Sequence, residues 1–310
     1  MPDTVSVRQM QSSDLPEVRR ICRVAFGTFL GMPDPETCFG DKEYVFTRWK
    51  ANPEAASVAE VDGKLAGSNF LTNWGSFGFF GPLTVSPEFW NQRIAQKLLE
   101  PTVELFDKWG LRETGLFTFA HSPKHVALYQ KFGFWPRFLT ALMSKTLNGR
   151  GESWIQYSGL EEAARAQALR ACRELTDSIY EGLDVTSEIQ AVHDQNLGDT
   201  VLSWEGGDSL DGFAVCHCGP NTEAGHDTCY LKFAAARSDK EFARLLKECE
   251  AFASAQGLHR LEAGMNLGRS QAYRQMLQQG FRTDMQGVAM HRPNAPGYNR
   301  PDVFVVDDWR

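Results

Sequence analysis

Along the first 85 residues, segments in which apolar side chains have the spacing of a helix alternate with segments in which they have the spacing of a strand. In one stretch apolar side chains recur every three or four positions, which predicts a helix that ends near Phe29, with Asp14 as its N-terminal cap and Glu17 three residues on. The strongest turn signal is Asp62-Gly63, a pair typical of two-residue hairpins. The expected elements are a strand over 5–8, helices over 14–29 and 42–49, and strands over 56–61, 65–73 and 77–85.

The rest of the chain continues with helices and strands in turn. We expect a helix over 93–109, a strand over 115–120, a helix over 124–132 and a strand over 135–145. After these come a strand over 154–157, a helix from Glu161, strands over 200–204, 211–218 and 229–235, a helix over 239–256, a strand over 260–265, a helix over 269–279 and a closing strand. This order predicts an α/β fold whose mixed, mostly antiparallel sheets are flanked by helices.

A faint internal repeat predicts two tandem domains. Three dipeptides recur 147 residues later, so a helix, a turn, a strand and another helix return with unchanged lengths. The pairs are Gly133-Phe134 with Gly280-Phe281, Leu98-Leu99 with Leu245-Leu246, and Gly110-Leu111 with Gly257-Leu258. The join falls in the turn-rich residues 148–151. We therefore expect one domain over residues 1–148 and a second over residues 152–310.

Composition narrows the class of protein. The chain has 310 residues, 42% hydrophobic and 23% charged, as expected of about two ordinary globular domains. A net charge of -7 argues against a nucleic-acid surface, and no apolar run is long enough to span a membrane. The polar residues 1–10 do not resemble a signal peptide. Seven scattered cysteines suit reduced thiols, so we expect a cytoplasmic protein that binds neither nucleic acid nor membrane.

Three motifs of the first half carry a family resemblance. The most specific is Ala127-Leu128-Tyr129-Gln130-Lys131-Phe132-Gly133-Phe134, which looks like a helix ending in a Tyr-x-x-x-Gly-Phe signature. The others are the hairpin 62–67 and the strand Leu83-Thr84-Val85, which ends in Ser86-Pro87. Together with the order of elements, they resemble the GNAT (N-acetyltransferase) superfamily. The resemblance implies two tandem GNAT-like domains, acetyl-CoA as cosubstrate, no metal, and a small-molecule or peptide amine as acceptor.

In the GNAT family a Gln/Arg-x-x-Gly-x-Gly/Ala loop holds the CoA pyrophosphate at a helix N-terminus, where main-chain N–H groups and the helix dipole favour anions. The matching run is 90–95, in which only Ala95 conforms and Arg93 stands in place of glycine. Ser122 stands where the family often has an asparagine that contacts the cofactor. The implied cofactor-binding residues are Leu83, Thr84, Val85, Asn91, Gln92, Arg93, Ile94, Ala95, Gln96 and Ser122.

The resemblance also implies that Tyr129 protonates the departing CoA thiolate. A phenol can do so when it lies within hydrogen-bond reach of the sulfur. A main-chain N–H of the strand 83–85 would polarise the thioester carbonyl. The base that takes the proton of the amine is left open among His121, His125 and, through a water, Glu60. The rival interpretation is a GNAT-fold binding or regulatory protein with little catalytic activity.

The second half lacks the residues that carry this chemistry. At the common spacing Tyr129 corresponds to Met276, which has no proton to give, and the nearby Tyr273 lies about 4.5 Å away along the helix axis. The phosphate loop corresponds to residues 237–242, which contain two carboxylates and no glycine. We therefore expect the second domain not to catalyse. The cysteines and histidines of 216–229 are poorly spaced for zinc, and no metal is expected.

Overall fold

The computed structural model describes residues 5–147, 153–204 and 209–310. The first half begins with an antiparallel meander and continues with alternating helices and strands. Its elements are β1 (Val5–Gln9), α1 (Leu15–Phe29), α2 (Val45–Ala51), β2 (Ala56–Val61), β3 (Lys64–Trp74), β4 (Phe77–Phe80), β5 (Thr84–Val85), α3 (Ile94–Trp109), β6 (Glu113–Thr118), α4 (Pro123–Gln130) and β7 (Trp135–Thr146).

The second half follows the same order, except that one long strand takes the place of β4 and β5 and one strand is added at its end. Its elements are β8 (Ile155–Gln156), α5 (Glu162–Ile179), α6 (Thr186–Gln195), β9 (Gly198–Ser203), β10 (Gly212–Cys218), β11 (Thr228–Ala236), α7 (Asp239–Ala255), β12 (Arg260–Asn266), α8 (Ser270–Gln278), β13 (Arg282–Arg292) and β14 (Phe304–Val306). The sequence pattern did not predict α6 or β14. The predicted join at 148–151 lies outside the described residues.

The structure confirms the hairpin between β2 and β3. Asp62 and Gly63 both have positive φ, 49° and 79°, as a two-residue turn of this kind requires. Helix α1 also begins where it was expected, but the side chain of Asp14 does not cap it. The Asp14 carboxylate instead accepts hydrogen bonds from Arg8 Nη1, at 2.7 Å, and from the main-chain N–H of Gln11, at 2.8 Å.

The single strand predicted over 77–85 is wrong. It ends at Phe80 and resumes as β5 at Thr84. The N–H of Gly81 still donates to Phe70 O of β3 at 2.8 Å, but Pro82 has no N–H to donate to a neighbouring strand, so the ladder is interrupted there. Before the interruption β4 pairs with both β3 and β6. After it the chain continues as β5, which pairs with β3. This break determines where the sheet opens.

The strands of the described residues form a 14-stranded sheet that runs through both halves. Its order is β1-β2-β3-β4-β6-β13-β7-β12-β11-β10-β9-β8, with β5 on β3 and β14 on β11. The two closing strands are exchanged between the halves. Strand β13 of the second half lies between β6 and β7, and β7 of the first half pairs with β12. Neither half therefore completes its sheet without a strand of the other.

Helices cover both faces of the sheet in the first half. Val58 of β2 packs with Val18 of α1, whereas its neighbour Ala59 packs with Leu98 of α3. Since successive side chains of a strand point to opposite faces, α1 and α3 lie on opposite sides of the sheet. A gap between strands in this part of the sheet is therefore lined by side chains from the helices on both faces.

Buried charges join the two halves. The guanidinium of Arg48 on α2 lies 2.9 Å from Glu223 Oε1, and these side chains are 5% and 0% exposed. Lys232 of β11 contacts the same Glu223 oxygen at 2.9 Å and Glu188 at 3.2 Å. Burial by itself raises the pKa of the Glu223 carboxyl, but Arg48 and Lys232 outweigh this effect and lower it. The carboxylate is therefore ionised and neutralised within the contact between the halves.

Candidate functional site

A cleft opens where strands β5 and β6 separate. Strand β4 runs parallel to β6 as far as the pair Phe79 and Gly115, after which the chain leaves β6 and continues as β5 beside β3. The resulting central cleft has a volume of about 500 Å³. It is lined by residues 83–85 of the β5 segment, the loop 89–91, the start of α3, the end of α1, Phe119 and α4.

The start of α3 forms one end of the central cleft. Arg93 is the N-cap residue, with φ 64° and ψ 16°, and its side chain makes no capping hydrogen bond. The loop thus adopts the left-handed conformation that glycine prefers, although arginine occupies it. Ile94, Ala95 and Gln96 follow on the wall of the cleft. The first N–H groups of an α-helix lack partners within the helix, so this end of the cleft favours an anion.

Three basic side chains strengthen this preference. Arg93, Lys124 and Lys131 line the central cleft. Lys124 of α4 reaches across to the loop, where its Nζ donates to Asn91 Oδ1 at 3.1 Å and lies 5.8 Å from the centre of the Trp90 ring. A chain with an overall charge of -7 therefore places two basic side chains, Arg93 and Lys124, beside the start of α3, and a third, Lys131, elsewhere on the wall of the cleft.

Tyr129 of α4 lies on the wall of the same cleft. It is 8% exposed, and its ring centre lies 5.7 Å from that of Phe80. Burial raises the pKa of the phenol, and an interaction with the side chain of Thr118 only partly opposes this. Tyr129 therefore carries its proton at neutral pH, whereas the raised pKa by itself makes the phenol a weaker acid.

The orientation of the main chain in β5 points one N–H group, that of Val85, toward the cleft. The N–H of Ser86 donates to Ala66 O of β3 at 2.8 Å. Because N–H groups alternate sides along a strand, the N–H of Val85 points away from β3. The carbonyl of Val85 points the same way, since it accepts a hydrogen bond from Trp90 Nε1 at 2.8 Å. An acyl oxygen in the central cleft can thus meet a main-chain donor.

His125 is the histidine that lines the central cleft. Its ring centre lies 4.9 Å from that of Phe29. Burial, followed by the charges of Lys124 and His121, lowers the pKa of His125 below its usual 6.5. Its imidazole is therefore neutral near pH 7 and able to accept a proton.

Most of the residues predicted from the sequence line this cleft. They are Leu83, Thr84, Val85, Asn91, Arg93, Ile94, Ala95, Gln96 and Tyr129. The structure does not bring Gln92, Ser122, His121 or Glu60 to the cleft wall among the described residues. Gln92 Nε2 turns back to the carbonyl of Glu88 at 3.4 Å, and Ser122 is buried at the start of α4.

The two remaining catalytic candidates are not among the lining residues, although His121 lies beside the lining rings of Phe29 and Phe119. His121 is exposed, with its ring centre 6.2 Å from that of Phe29. Glu60 is on β2, where its carboxylate binds Arg8 at 2.6 Å. This ion pair holds Glu60 beside β1, so the geometry favours His125 among the three alternatives. Sequence reasoning passed over Phe26, Phe29, Phe119, Lys124 and Lys131, because their positions facing the cleft depend on how α1 and α4 pack.

The geometry agrees with a comparison of the sequence with known families. Residues 17–134 match the model of the acetyltransferase (GNAT) family. This stretch of the chain has the sequence of a GNAT acetyltransferase domain. No curated protein sequence matches the chain. The matched residues contain the cofactor-side loop and Tyr129, and acyl transfer is the chemistry of the family that they match.

Solved structures of similar fold extend over almost the whole chain. A protein from Pyrococcus horikoshii is 13% identical with a TM-score of 0.67, covering 98% of this chain and 95% of its own. A GCN5-related N-acetyltransferase from Sphaerobacter thermophilus is 15% identical with a TM-score of 0.62, covering 93% of this chain and 95% of its own. At such identities the likeness establishes the fold. The GNAT-like fold therefore extends beyond the matched residues into the second half.

The second GNAT-like half differs at each position that defines the cleft. Tyr129 O accepts the N–H of Phe134 at 3.2 Å, and Met276 O accepts that of Phe281 at 3.1 Å, so Met276 occupies the place of the tyrosine. Met276 is fully buried. The N-terminus of α7 is capped by its own Ser238, whose hydroxyl accepts the N–H of Glu241 at 3.4 Å. Its first turn also contains two acidic residues, Asp239 and Glu241.

The described residues contain no group of three or more His, Cys, Asp and Glu side chains placed to hold a metal ion. Cys216 and Cys229 are buried in the core of the second half, while His217 between Cys216 and Cys218 faces the N–H of Glu223. In the same described ranges, no helix has both the length and the apolar character needed to cross a membrane.

Proposed function

We propose that the first half transfers an acetyl group from acetyl-CoA to a primary amine by direct attack, at a single site in the central cleft. The observation that carries this proposal is that Tyr129, the open start of α3 and the outward N–H of Val85 meet in one cleft. An anion site, a proton donor and an acyl-oxygen donor are the parts that this reaction needs.

Each part has a role in the reaction. The start of α3, with Arg93 and Lys124 near it, would hold the phosphates of the cofactor. The pantetheine arm would then lie between β5 and α4. The N–H of Val85 would donate to the thioester oxygen as it gains negative charge.

The bonds and protons balance without another reactant. The amine nitrogen forms a bond to the acyl carbon, and the carbon–sulfur bond of the tetrahedral intermediate breaks. The thiolate takes the proton of Tyr129, which the phenol carries at neutral pH. His125 takes the proton that the ammonium loses, since its imidazole is neutral. The products are the amide and CoA, and proton exchange with solvent restores both side chains.

The second half would contribute structure. Its counterpart of Tyr129 is Met276, and its α7 N-terminus is capped and acidic. Carboxylates at that position would repel a diphosphate. We therefore assign one cofactor site to each chain.

The test is release of CoA thiol from acetyl-CoA during incubation with a panel of primary amines. We expect release with at least one amine, and a loss of kcat of about 10²-fold or more in Tyr129→Phe with little change in acetyl-CoA affinity. Tyr273→Phe is the matched control, because Tyr273 lies one turn before Met276 on α8 of the second half. Full activity of Tyr129→Phe would remove the proposed acid. Binding of acetyl-CoA without thiol release from any amine would instead favour a binding or regulatory protein.

A further inference from the structure

Partly uncovered aromatic rings line the side of the central cleft that faces α1. Phe26 and Phe29 come from the last turns of α1, and Phe119 follows β6; all three are half-buried. The ring centre of Phe29 lies 4.9 Å from that of Phe119 and 4.9 Å from that of His125. This group, the aromatic wall, keeps apolar surface open to the cleft although its members already touch one another.

The aromatic wall and the cofactor side approach the cleft from opposite faces of the sheet. Helix α1 covers one face, and α3, whose first residues line the anion end, covers the other. The separation of β5 from β6 connects the two faces. A cofactor held at the start of α3 would thus leave the aromatic wall for the acceptor.

The charges of the lining restrict the acceptor further. The titratable side chains among the described lining residues are Arg93, Lys124, Lys131, His125 and Tyr129, and no Asp or Glu is among them. Glu88, next to the lining residue Phe89, binds Lys64 at 2.7 Å. An acceptor with several ammonium groups would meet basic side chains and no carboxylate, which disfavours polyamines and amino sugars with several charges.

We propose that the acceptor is an arylalkylamine, a primary amine on a short chain from an aromatic ring with no second positive charge. This inference rests on the proposed function. The ring would pack against Phe26, Phe29 and Phe119, because aromatic rings favour edge-to-face and offset contacts with one another. Its amine would lie toward His125, which stands at the edge of the aromatic wall.

The experiment compares kcat/KM for four amines with saturating acetyl-CoA: 2-phenylethylamine, 2-cyclohexylethylamine, ethylamine and spermidine. We expect 2-phenylethylamine to exceed ethylamine by at least 100-fold and spermidine by more, with 2-cyclohexylethylamine between them. A preference for spermidine, or equal use of ethylamine, would overturn the aromatic acceptor while leaving acetyl transfer in place. Absence of thiol release with every amine, including ethylamine, would mark failure of the proposed function itself.

Two variants test the aromatic wall directly. Phe29→Ala and the volume-conserving Phe119→Leu should each raise the KM for 2-phenylethylamine about tenfold or more, leaving the KM for ethylamine and the acetyl-CoA Kd within about twofold. Leu30→Ala is the matched control, since Leu30 directly follows Phe29 and is 49% exposed. Weaker acetyl-CoA binding in either variant, with the amine preference unchanged, would assign the aromatic wall to the cofactor and overturn the proposal.

Discussion

Ala236 of β11 lies opposite Phe304 of β14 in an antiparallel pair. In the second half this contact covers one edge of β11. The corresponding edge in the first half is that of β5, which borders the central cleft. The two edges correspond because Gly67 pairs with Val85 as Gly212 pairs with Ala236, and each glycine ends a Leu-x-Gly run, at residues 65–67 and 210–212. The neighbouring residue Ala235 is likewise paired, with Val305. The chain thus fills with its own strand β14 the position at which the first half is open.

The covered strand edge of the second half determines how many acetyl-CoA molecules we expect each chain to bind. We expect one acetyl-CoA to bind per chain, because the second half lacks both an open strand edge and an anion site at the start of α7. Isothermal titration calorimetry with acetyl-CoA measures this number directly. Arg93→Glu, which places a carboxylate at the start of α3, should abolish the single binding event. A second binding event, or one that survives this change, would contradict the assignment.

The exchange of β7 and β13 predicts that the halves depend on each other. A fragment of residues 1–148 would lack β13 between β6 and β7, and a fragment of residues 152–310 would lack β7 beside β12. Exposed strand edges invite aggregation. We expect neither fragment to unfold cooperatively in urea when it is made alone, whereas the two produced together should form a complex. Cooperative unfolding of the isolated first fragment, with acetyl-CoA binding retained, would contradict this prediction.

The buried pair Arg48 and Glu223 is expected to be the most sensitive contact between the halves. Arg48→Met leaves the Glu223 carboxylate buried with Lys232 as its remaining cation, which should lower the free energy of unfolding by about 3–5 kcal/mol. Urea denaturation measures the change. The control is Lys97→Met, which removes an exposed pair with Glu100 and should cost less than about 1 kcal/mol. Equal effects of the two substitutions would refute the role assigned to the buried pair.

The pH profile of kcat should identify the base. The pKa of His125 is lowered from 6.5 by burial, with Lys124 and His121 adding to the effect, so the imidazole stays neutral to lower pH than a free histidine does. Turnover should therefore be level through neutrality and decline only below about pH 6.5. His125→Gln should lower kcat about 10²-fold and remove this acid limb, whereas His121→Gln should keep kcat and the limb, moving the limb only slightly to higher pH because one cause of the lowered His125 pKa is gone. An acid limb that persists in His125→Gln would point to another base.

Local features of this protein were open to prediction because they depend on neighbours in the chain. Asp62-Gly63 formed the expected turn, since both residues accept positive φ without help from distant contacts. The stripe of apolar residues on α1 and the place of Tyr129 on α4 followed from helical spacing and from a motif of eight residues. Arg93 shows the limit of such reasoning. It adopts the left-handed conformation expected of glycine, which its identity alone would not indicate.

The candidate base illustrates what sequence spacing could not settle. His121, His125 and Glu60 were equivalent alternatives along the chain. Packing distinguished them, because Arg8 of β1 binds Glu60 and the final turn of α1 brings Phe29 against His125. Both contacts join segments far apart in sequence. Their formation depends on strand register and helix placement, which no local pattern reports.

By itself the sequence determined the mixed α/β class, the duplicated order of elements and the motif that contains Tyr129, because hydrophobic periods and turn residues record local backbone geometry. Only the tertiary structure decided the exchange of β7 and β13, the division of residues 77–85 into two strands and the covering of Ala236 by Phe304. Strand edges have nearly the same hydrogen-bonding groups everywhere. Which edges meet is therefore decided by the packing of the whole chain, and that choice leaves one cleft open and closes the other.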